Sequence, residues 1–191
     1  IAIDSELIKN NEFTHGLSDW ESRSAYVTSS FGPIRASALS NDGVFAAVHT
    51  GYSDSNNLGF LEQAIPVPMS RNGVLSALYN FVTTEFPVWQ GTGYNDYFQV
   101  TLTGPSGEKT FKMAEFLNSS TFEAVSGLPE GVIDGWFPGA TPVTGGQTGW
   151  RMFNQGALAL KNGIYKLRIE VRDVGDNIVD SAILVDRVSL R

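Results

Sequence analysis

The chain has 191 residues, a net charge of −7 and no cysteine. This length fits a single domain, residues 1–191, better than two small ones. The acidic balance without a Lys/Arg cluster argues against binding to nucleic acid or to an anionic membrane surface. The missing cysteines exclude disulfides, thiol catalysis and thiolate metal sites.

Two further features of the sequence bear on where the protein acts. No apolar run approaches the roughly 20 residues that a transmembrane helix requires, so we expect no membrane insertion. The chain begins at Ile1, which we interpret as a processed extracellular start. We therefore expect a secreted or cell-surface protein.

Short segments of alternating apolar and polar residues recur along the whole chain. The clearest is GIYKLRIEVRD, in which every second residue from Tyr165 to Val171 is apolar and the residues between them are charged. This alternation predicts a strand with one buried and one wet face. In chain order the predicted strands are residues 20–29, 44–50, 59–65, 74–84, 96–102, 109–115, 149–155, 163–173 and 182–190.

Turn residues separate these segments. Several short strands joined by turns predict an all-β fold, an antiparallel β-sandwich of jelly-roll type. A Gly/Pro-rich insertion at about residues 126–149 interrupts the pattern and carries Trp136 and Phe137. Loops of this length in a compact domain are often functional. The predicted turns are Asn41-Asp42-Gly43, Pro66-Val67-Pro68, Asn72-Gly73, Gly104-Pro105-Ser106-Gly107 and Asn162-Gly163.

Catalysis has little support in the sequence. The two histidines are His15 and His49, and neither lies in a nucleophile elbow such as G-x-S-x-G. Two acids in a cleft suffice to hydrolyse a glycoside, but no pair stands out among the acids of this chain. We expect a protein that is not an enzyme, and a polysaccharide-active enzyme is the least favoured function.

Oxygen ligands for a metal are concentrated in two segments, residues 83–98 and 172–190. Calcium binds six to eight oxygens from carboxylates, carbonyls and water, so these segments point to Ca²⁺ as a cofactor. For DVGDN, residues 173–177, the alternative is a tight turn whose Asp side chains hydrogen-bond their own backbone. The second segment offers four aspartates: Asp173, Asp176, Asp180 and Asp186.

Asp186 is the aspartate that a turn cannot explain. Strand alternation places it on the same face as Leu184, Val188 and Leu190, where a bare carboxylate is costly. We therefore expect it to have a cation, an arginine or several amides as its partner.

Aromatic residues in the turn-rich segments are candidates for ligand contact. Trp89, Tyr94 and Trp136 offer flat rings to the C–H faces of pyranoses, and Asn95 is polar enough to orient hydroxyl groups. The alternative is that the tryptophans belong to the core, which the pattern favours for Trp20 and Trp150.

The N-terminal stretch IKNNEFTHGLSDWE resembles the opening of jelly-roll carbohydrate-binding modules, and AILVDRVSL resembles their closing strand. In that family the two strands adjoin, and acids on them often help to bind a structural calcium. The resemblance thus implies Glu12 and Asp186 as metal ligands. The residues that carry the opening match are Asn10, Asn11, Glu12, Phe13, Gly16, Leu17 and Trp20.

The middle of the chain resembles a second pattern, found in bacterial surface-anchored, adhesin-type domains. This resemblance implies that Glu85 and Asp96 meet Asp180 around a calcium ion near one end of the sandwich. The residues that carry the match are Thr84, Glu85, Phe86, Pro87, Tyr94, Asn95, Asp96 and Phe98.

Together these features predict a non-catalytic extracellular binding or adhesion module that calcium stabilises. Its expected partner is a glycan, a cell-surface or matrix protein, or further copies of itself. The alternative is a structural subunit of an extracellular filament or matrix, assembled by surface packing or by donation of the N-terminal segment IAIDSELI to a neighbour's sheet edge.

Overall fold

The computed structural model describes residues 6–51, 57–136, 139, 141–176 and 178–191. Within these residues the chain forms strands joined by turns, with a short 3₁₀ helix at Leu117–Ser119. The strands are β1 (Glu21–Arg23), β2 (Ala25–Thr28), β3 (Ser30–Phe31), β4 (Ile34–Arg35), β5 (Phe45–His49), β6 (Leu58–Val67), β7 (Arg71–Thr83), β8 (Tyr97–Thr103), β9 (Lys109–Phe116), β10 (Glu123–Leu128), β11 (Val143–Gln147), β12 (Arg151–Leu160), β13 (Gly163–Arg172) and β14 (Ser181–Leu190).

Two antiparallel sheets form the body of the molecule. The five-stranded sheet has the order β1-β6-β13-β8-β9. The larger sheet has the order β10-β11-β7-β14-β5-β2, and β12 also pairs with β7. The predicted all-β antiparallel sandwich of jelly-roll type is confirmed.

The main core lies between the two sheets. In β13 every second side chain from Tyr165 to Val171 is buried, as the alternation predicts. These residues pack against the inward side chains of the larger sheet, such as Phe81 on β7 and Ile183 on β14. Burial of this apolar surface is the main favourable contribution to the fold.

A second apolar cluster covers the outer face of the larger sheet. Leu184 on β14 and Val82 on β7 pack there beneath Phe31, Leu128 and Ile133. The predicted insertion therefore has its own core rather than lying loose on the surface.

The bounds predicted for that insertion are wrong at both ends, because β10 extends to Leu128 and β11 covers Val143–Gln147. β11 could not be recognised in the sequence because glycines interrupt its alternation of apolar and polar side chains. A Cβ on Gly145 would lie 2.3 Å from the carbonyl oxygen of Thr83, so only glycine permits this close approach of two strands.

Two other local predictions are also wrong. Asn72-Gly73 lies inside β7 and not in a turn. A β-bulge between Asp186 and Ser189 reverses the facing of the last strand, so that Val188 and Leu190 pack in the main core while Leu184 packs in the outer cluster.

Only part of the predicted donor segment belongs to the described residues, because residues 1–5 lie outside them. The Leu7 amide donates a hydrogen bond to the carbonyl oxygen of Leu190 at 2.9 Å, so this residue pairs with the end of β14 in its own chain. None of the helices in the described residues is long and apolar enough to cross a membrane.

Candidate functional site

Three carboxylates meet at one end of the main core, where strands of both sheets end. Glu85 follows β7 of the larger sheet, whereas Asp96 precedes β8 and Asp173 follows β13 of the five-stranded sheet. Each continues the inward-facing alternation of its strand by one more step. The acids therefore occupy positions that apolar side chains occupy further along the sandwich.

The three acids are close together and shielded from water. One carboxylate oxygen of each lies within 4.8 Å of one oxygen of each of the others. Glu85 and Asp96 are fully buried, and Asp173 is 8% exposed. Repulsion between the three charges is strong in such an environment because it is only weakly screened.

Among the described residues, hydrogen-bond donors reach the carboxylate of Asp96 but not those of Glu85 and Asp173. Its oxygens accept from the Val174 amide at 2.8 Å and from the Ser181 hydroxyl at 2.5 Å. All four carboxylate oxygens of Glu85 and Asp173 are buried and accept no hydrogen bond from any residue that the structure describes. Unpartnered buried carboxylates are costly, so these four oxygens need a proton or a cation.

Burial raises the pKa of the Glu85 carboxyl to about 9, and the neighbouring Asp96 adds to this rise. Burial likewise raises the pKa values of Asp96 and Asp173, and for Asp173 the charge of Asp96 raises it further. Without a compensating positive charge the site therefore retains protons near neutral pH.

Two more aspartates border the three-acid site. Asp180 is buried, and one of its oxygens accepts from the Asp134 amide at 2.8 Å. Burial raises the pKa of Asp180 to about 7. Asp176 instead accepts from the Ile178 amide at 3.1 Å, which is the turn geometry that DVGDN predicts, whereas Asp173 in the same segment does not cap the turn.

The five residues predicted as metal ligands thus divide into two groups. Glu85, Asp96 and Asp180 lie at the end where β14 begins, as the second resemblance implies. Asp186 lies further along β14, with the charge of Glu12 close enough to raise its pKa, and burial raises that pKa to about 6.

The second group has a different set of partners. One oxygen of Asp186 accepts from the Arg187 amide at 2.8 Å, and the other is buried without a hydrogen bond from the described residues. Glu12 faces the Arg187 guanidinium at 3.9 Å and accepts from the Asn41 amide. An arginine therefore already compensates part of the negative charge here.

Next to the three-acid site lies an apolar groove of about 520 Å³ between the segment after β7 and the segment before β11. The indole rings of Trp89 and Trp136 lie in it with their centroids 5.2 Å apart, and Trp136 is 49% exposed. The described residues that line the groove are Thr84, Phe86, Pro87, Val88, Trp89, Gly135, Trp136, Pro142, Val143 and Thr144.

Tyr94 and Asn95 lie behind the groove rather than in its lining. The Tyr94 ring packs against Trp89 with centroids 5.3 Å apart, and a Cβ on Gly175 would lie 2.8 Å from its Cδ1. The Asn95 side chain accepts from the Asn118 amide at 2.8 Å. Both residues thus support the loop that carries Trp89.

The groove and the acids share their backbone segments. The Trp89 amide donates to the Glu85 carbonyl at 2.8 Å, and Asp134, two residues before Trp136, donates its amide to Asp180. Whatever fixes the acids therefore also fixes both walls of the groove. The site can hold a divalent cation through carboxylate oxygens and can offer flat rings beside it.

In the sequence Asp173 is either one of four possible oxygen ligands or a turn residue, and the alternation of β13 contains a signal for the first role. Asp173 continues the series of odd-numbered buried residues from Tyr165 to Val171, so its side chain points toward the end of the main core. The apolar groove residues Phe86 and Val143 have no comparable signal.

No protein-family model and no curated protein matches the sequence. Among solved structures, the chain is similar to TmCBM61 in complex with β-1,4-galactotriose, with a TM-score of 0.58, 11% identity and coverage of 98% of this chain and 99% of that one. It is also similar to CBM28, a carbohydrate-binding module specific for non-crystalline cellulose, with a TM-score of 0.50, 9% identity and coverage of 100% and 99%. An arabinose-bound GH51 α-L-arabinofuranosidase aligns over 97% of this chain but only 26% of its own length, with a TM-score of 0.50 and 13% identity. These likenesses show the fold.

Proposed function

We propose that this chain is a non-catalytic, extracellular glycan-binding module whose ligand loops are held by calcium. The observation that carries the proposal is the pair of indole rings of Trp89 and Trp136, 5.2 Å apart in an open apolar groove. Such rings bind sugars by covering the C–H faces of pyranoses, which removes apolar surface from water.

Glu85, Asp96 and Asp173 are the proposed calcium ligands. The four buried oxygens of Glu85 and Asp173, to which no described residue donates a hydrogen bond, fit a hard cation that coordinates oxygen. The set contains neither histidine nor cysteine, which disfavours zinc. When bound, calcium neutralises carboxylates that otherwise repel one another.

Fixing these carboxylates also fixes the backbone segments that form the groove. Glu85 begins the segment that carries Trp89, and Asp173 begins the turn whose Gly175 supports the Tyr94 ring. A fixed turn keeps Tyr94 against Trp89, so the indole is presented in one orientation. Preorganised rings bind with a smaller loss of conformational entropy.

Two findings support a binding role without catalysis. The described residues that line the groove include no titratable side chain, so the groove offers no general acid or base. Two proteins of similar structure, TmCBM61 bound to β-1,4-galactotriose and the cellulose-specific CBM28, are carbohydrate-binding modules, which makes galactan and cellulose oligosaccharides the first ligands to test.

The test is isothermal titration of galactan and cellulose oligosaccharides in calcium-containing buffer. We expect Trp89→Ala and Trp136→Ala each to weaken binding by about tenfold or more, because about 1.4 kcal/mol of lost contact is a tenfold change in Kd. The matched control is Ile164→Ala, which shortens an apolar side chain that is 62% exposed and outside the groove. If both tryptophan variants bind with the affinity of the wild type, the groove is not the binding site. If the wild type binds no glycan on a broad array, the proposed function is wrong.

Assembly into a filament by strand donation stays a prediction, as do protein partners and self-association. Deleting residues 1–8 tests the first of these, because loss of assembly with an intact fold would favour donation.

A further inference from the structure

Positively charged residues that are distant from one another in the sequence lie together on the outer face of the five-stranded sheet. Because the odd-numbered residues of β13 are buried in the core, Lys166, Arg168, Glu170 and Arg172 face outward. Antiparallel register places residues of the neighbouring strands beside them. The charged members of this face are Arg23, Lys109, Lys112, Lys166, Arg168 and Arg172 against Glu21, Glu62 and Glu170, in a chain whose net charge is −7.

The two signs of charge lie at different depths. The side chains of Glu170 and Glu62 are only 5% and 14% exposed, whereas those of Arg172 and Lys166 are 41% and 60% exposed. The carboxylates of Glu62 and Glu170 therefore lie beneath the cations of β13, whereas Glu21, on the edge strand β1, is exposed. At physiological ionic strength charges further away than about 8 Å are largely screened, so an approaching ligand meets this local surplus of cations rather than the net charge.

The arginines on this face are held in place by their neighbours. The guanidinium of Arg168 stacks on the Phe60 ring at 4.1 Å and contacts Glu62 at 3.1 Å. Arg172 contacts Glu170 at 3.2 Å, and the same carboxylate accepts from the Gln99 amide. Fixed guanidinium groups with remaining N–H donors are suited to carboxylate recognition, since little side-chain entropy is lost on binding.

An aromatic platform adjoins these cations. Tyr97 pairs with Arg172 on one side and with Phe116 on the other. The two rings lie with centroids 5.2 Å apart, and Phe116 is 41% exposed. A ring surface directly beside a guanidinium is suited to a ligand that is both a sugar and an anion.

We propose that this face binds an acidic polysaccharide, a chain of uronic acid residues, independently of the Trp89 groove. The carboxylates of the polysaccharide contact Arg172, Arg168 and Lys112, and its sugar rings cover Phe116 and Tyr97. The face is thus a second binding surface with a ligand class different from the neutral glycans proposed for the groove.

Affinity electrophoresis of the full chain tests this, with polygalacturonate, neutral galactan or poly-glutamate in the gel. We expect polygalacturonate to retard the wild type, and Arg172→Gln or Lys112→Gln to weaken this binding by about tenfold. Phe116→Ala, which leaves the ion pairs intact, should weaken it severalfold. Raising salt from about 0.05 M to about 0.5 M should release the protein, because screening weakens exposed charge contacts.

The matched control is Arg35→Gln, which removes one exposed cation on β4 outside this face. It should keep wild-type retardation, and none of the face variants should change binding to neutral glycans in the groove. The proposal is overturned if polygalacturonate does not retard the wild type or if Arg35→Gln weakens binding as much as Arg172→Gln. Equal retardation by poly-glutamate would also overturn it, because the face would then recognise peptide carboxylates and not sugars.

Discussion

Glu85 and Glu170 are both buried glutamates near the same end of the sandwich, yet their surroundings are opposite. Glu170 is 4% exposed, and its carboxylate contacts the guanidinium groups of Arg168 and Arg172. Glu85 is fully buried, accepts no hydrogen bond from the part of the chain that the structure describes, and has one carboxylate oxygen within 4.8 Å of oxygens of Asp96 and Asp173.

The difference shows where each carboxylate obtains its compensating charge. A buried charge is tolerated only when it is paired and hydrogen-bonded. The fold supplies cations for Glu170 from Arg168 and Arg172, which lie two residues before and two residues after it on β13. At the three-acid site the alternatives are protons, which the raised pKa values favour, or a cation from solution, so this region should depend on solution conditions and the other should not.

The largest expected difference between the two regions is the response to calcium. We expect calcium at about 100 times its Kd to stabilise the wild type by about 2.7 kcal/mol, because it binds only the folded state. This corresponds to a rise of about 5–10 °C in Tm relative to protein in EDTA. Differential scanning calorimetry with and without calcium measures it.

Two variants separate the sites in that experiment. Glu85→Gln should lose most of the calcium response and melt in EDTA no lower than the wild type, since a neutral amide replaces a buried acid. Glu170→Gln should keep the full response. An unchanged Tm between calcium and EDTA for the wild type would contradict the metal site.

The next largest effect concerns pH. Burial raises the folded-state pKa of Glu85 from 4.5 to about 9, so its protonated form stabilises the fold fully below the unfolded value. That contribution is lost as the pH rises through the folded value. In EDTA we therefore expect Tm to fall as the pH rises from about 5 to about 9, by about 3–5 °C for each pH unit in which the group is ionised in the unfolded chain and protonated in the folded one.

Calcium should reverse this dependence, because the metal binds the ionised carboxylates and competes with protons. Melting curves from acidic to alkaline pH in EDTA and in calcium give the sign directly. A Tm in EDTA that rises with pH through this range would contradict the raised pKa values.

The smallest effect is expected at Glu170. Its partners are partly exposed, so Glu170→Gln should lower stability by about 1 kcal/mol, and equally in calcium and in EDTA. Urea denaturation in both buffers measures the two values. A loss that appears only in EDTA would mean that the two regions are coupled.

Much of this fold follows from alternation in the sequence. The strand predicted at residues 163–173 is β13, and the same alternation locates β8, because buried side chains alternate with more exposed ones in both strands. β14 is buried on both faces, so alternation does not explain it. The β10–β11 hairpin could not be predicted in this way. Its Gly145 has no side chain to alternate and is required by a contact with Thr83 that is remote in sequence.

The candidate site, too, could be predicted only in part from the sequence. Glu85 and Asp96 stand in a recognisable motif, but their grouping with Asp173 depends on the ends of β7, β8 and β13 meeting in space. Asp186 is separate from them because it lies six residues beyond Asp180 along β14. The approach of Trp136 to Trp89 likewise depends on loop packing across 47 positions of sequence.

The three carboxylates come from both sheets, and this has a consequence for the rates of folding. A complete ligand set exists only after the sheets have packed, so a cation can recognise only a late, nearly native state. Interactions absent from the folding transition state slow unfolding without accelerating folding. We therefore expect calcium to slow unfolding and so to lengthen the lifetime of the folded chain.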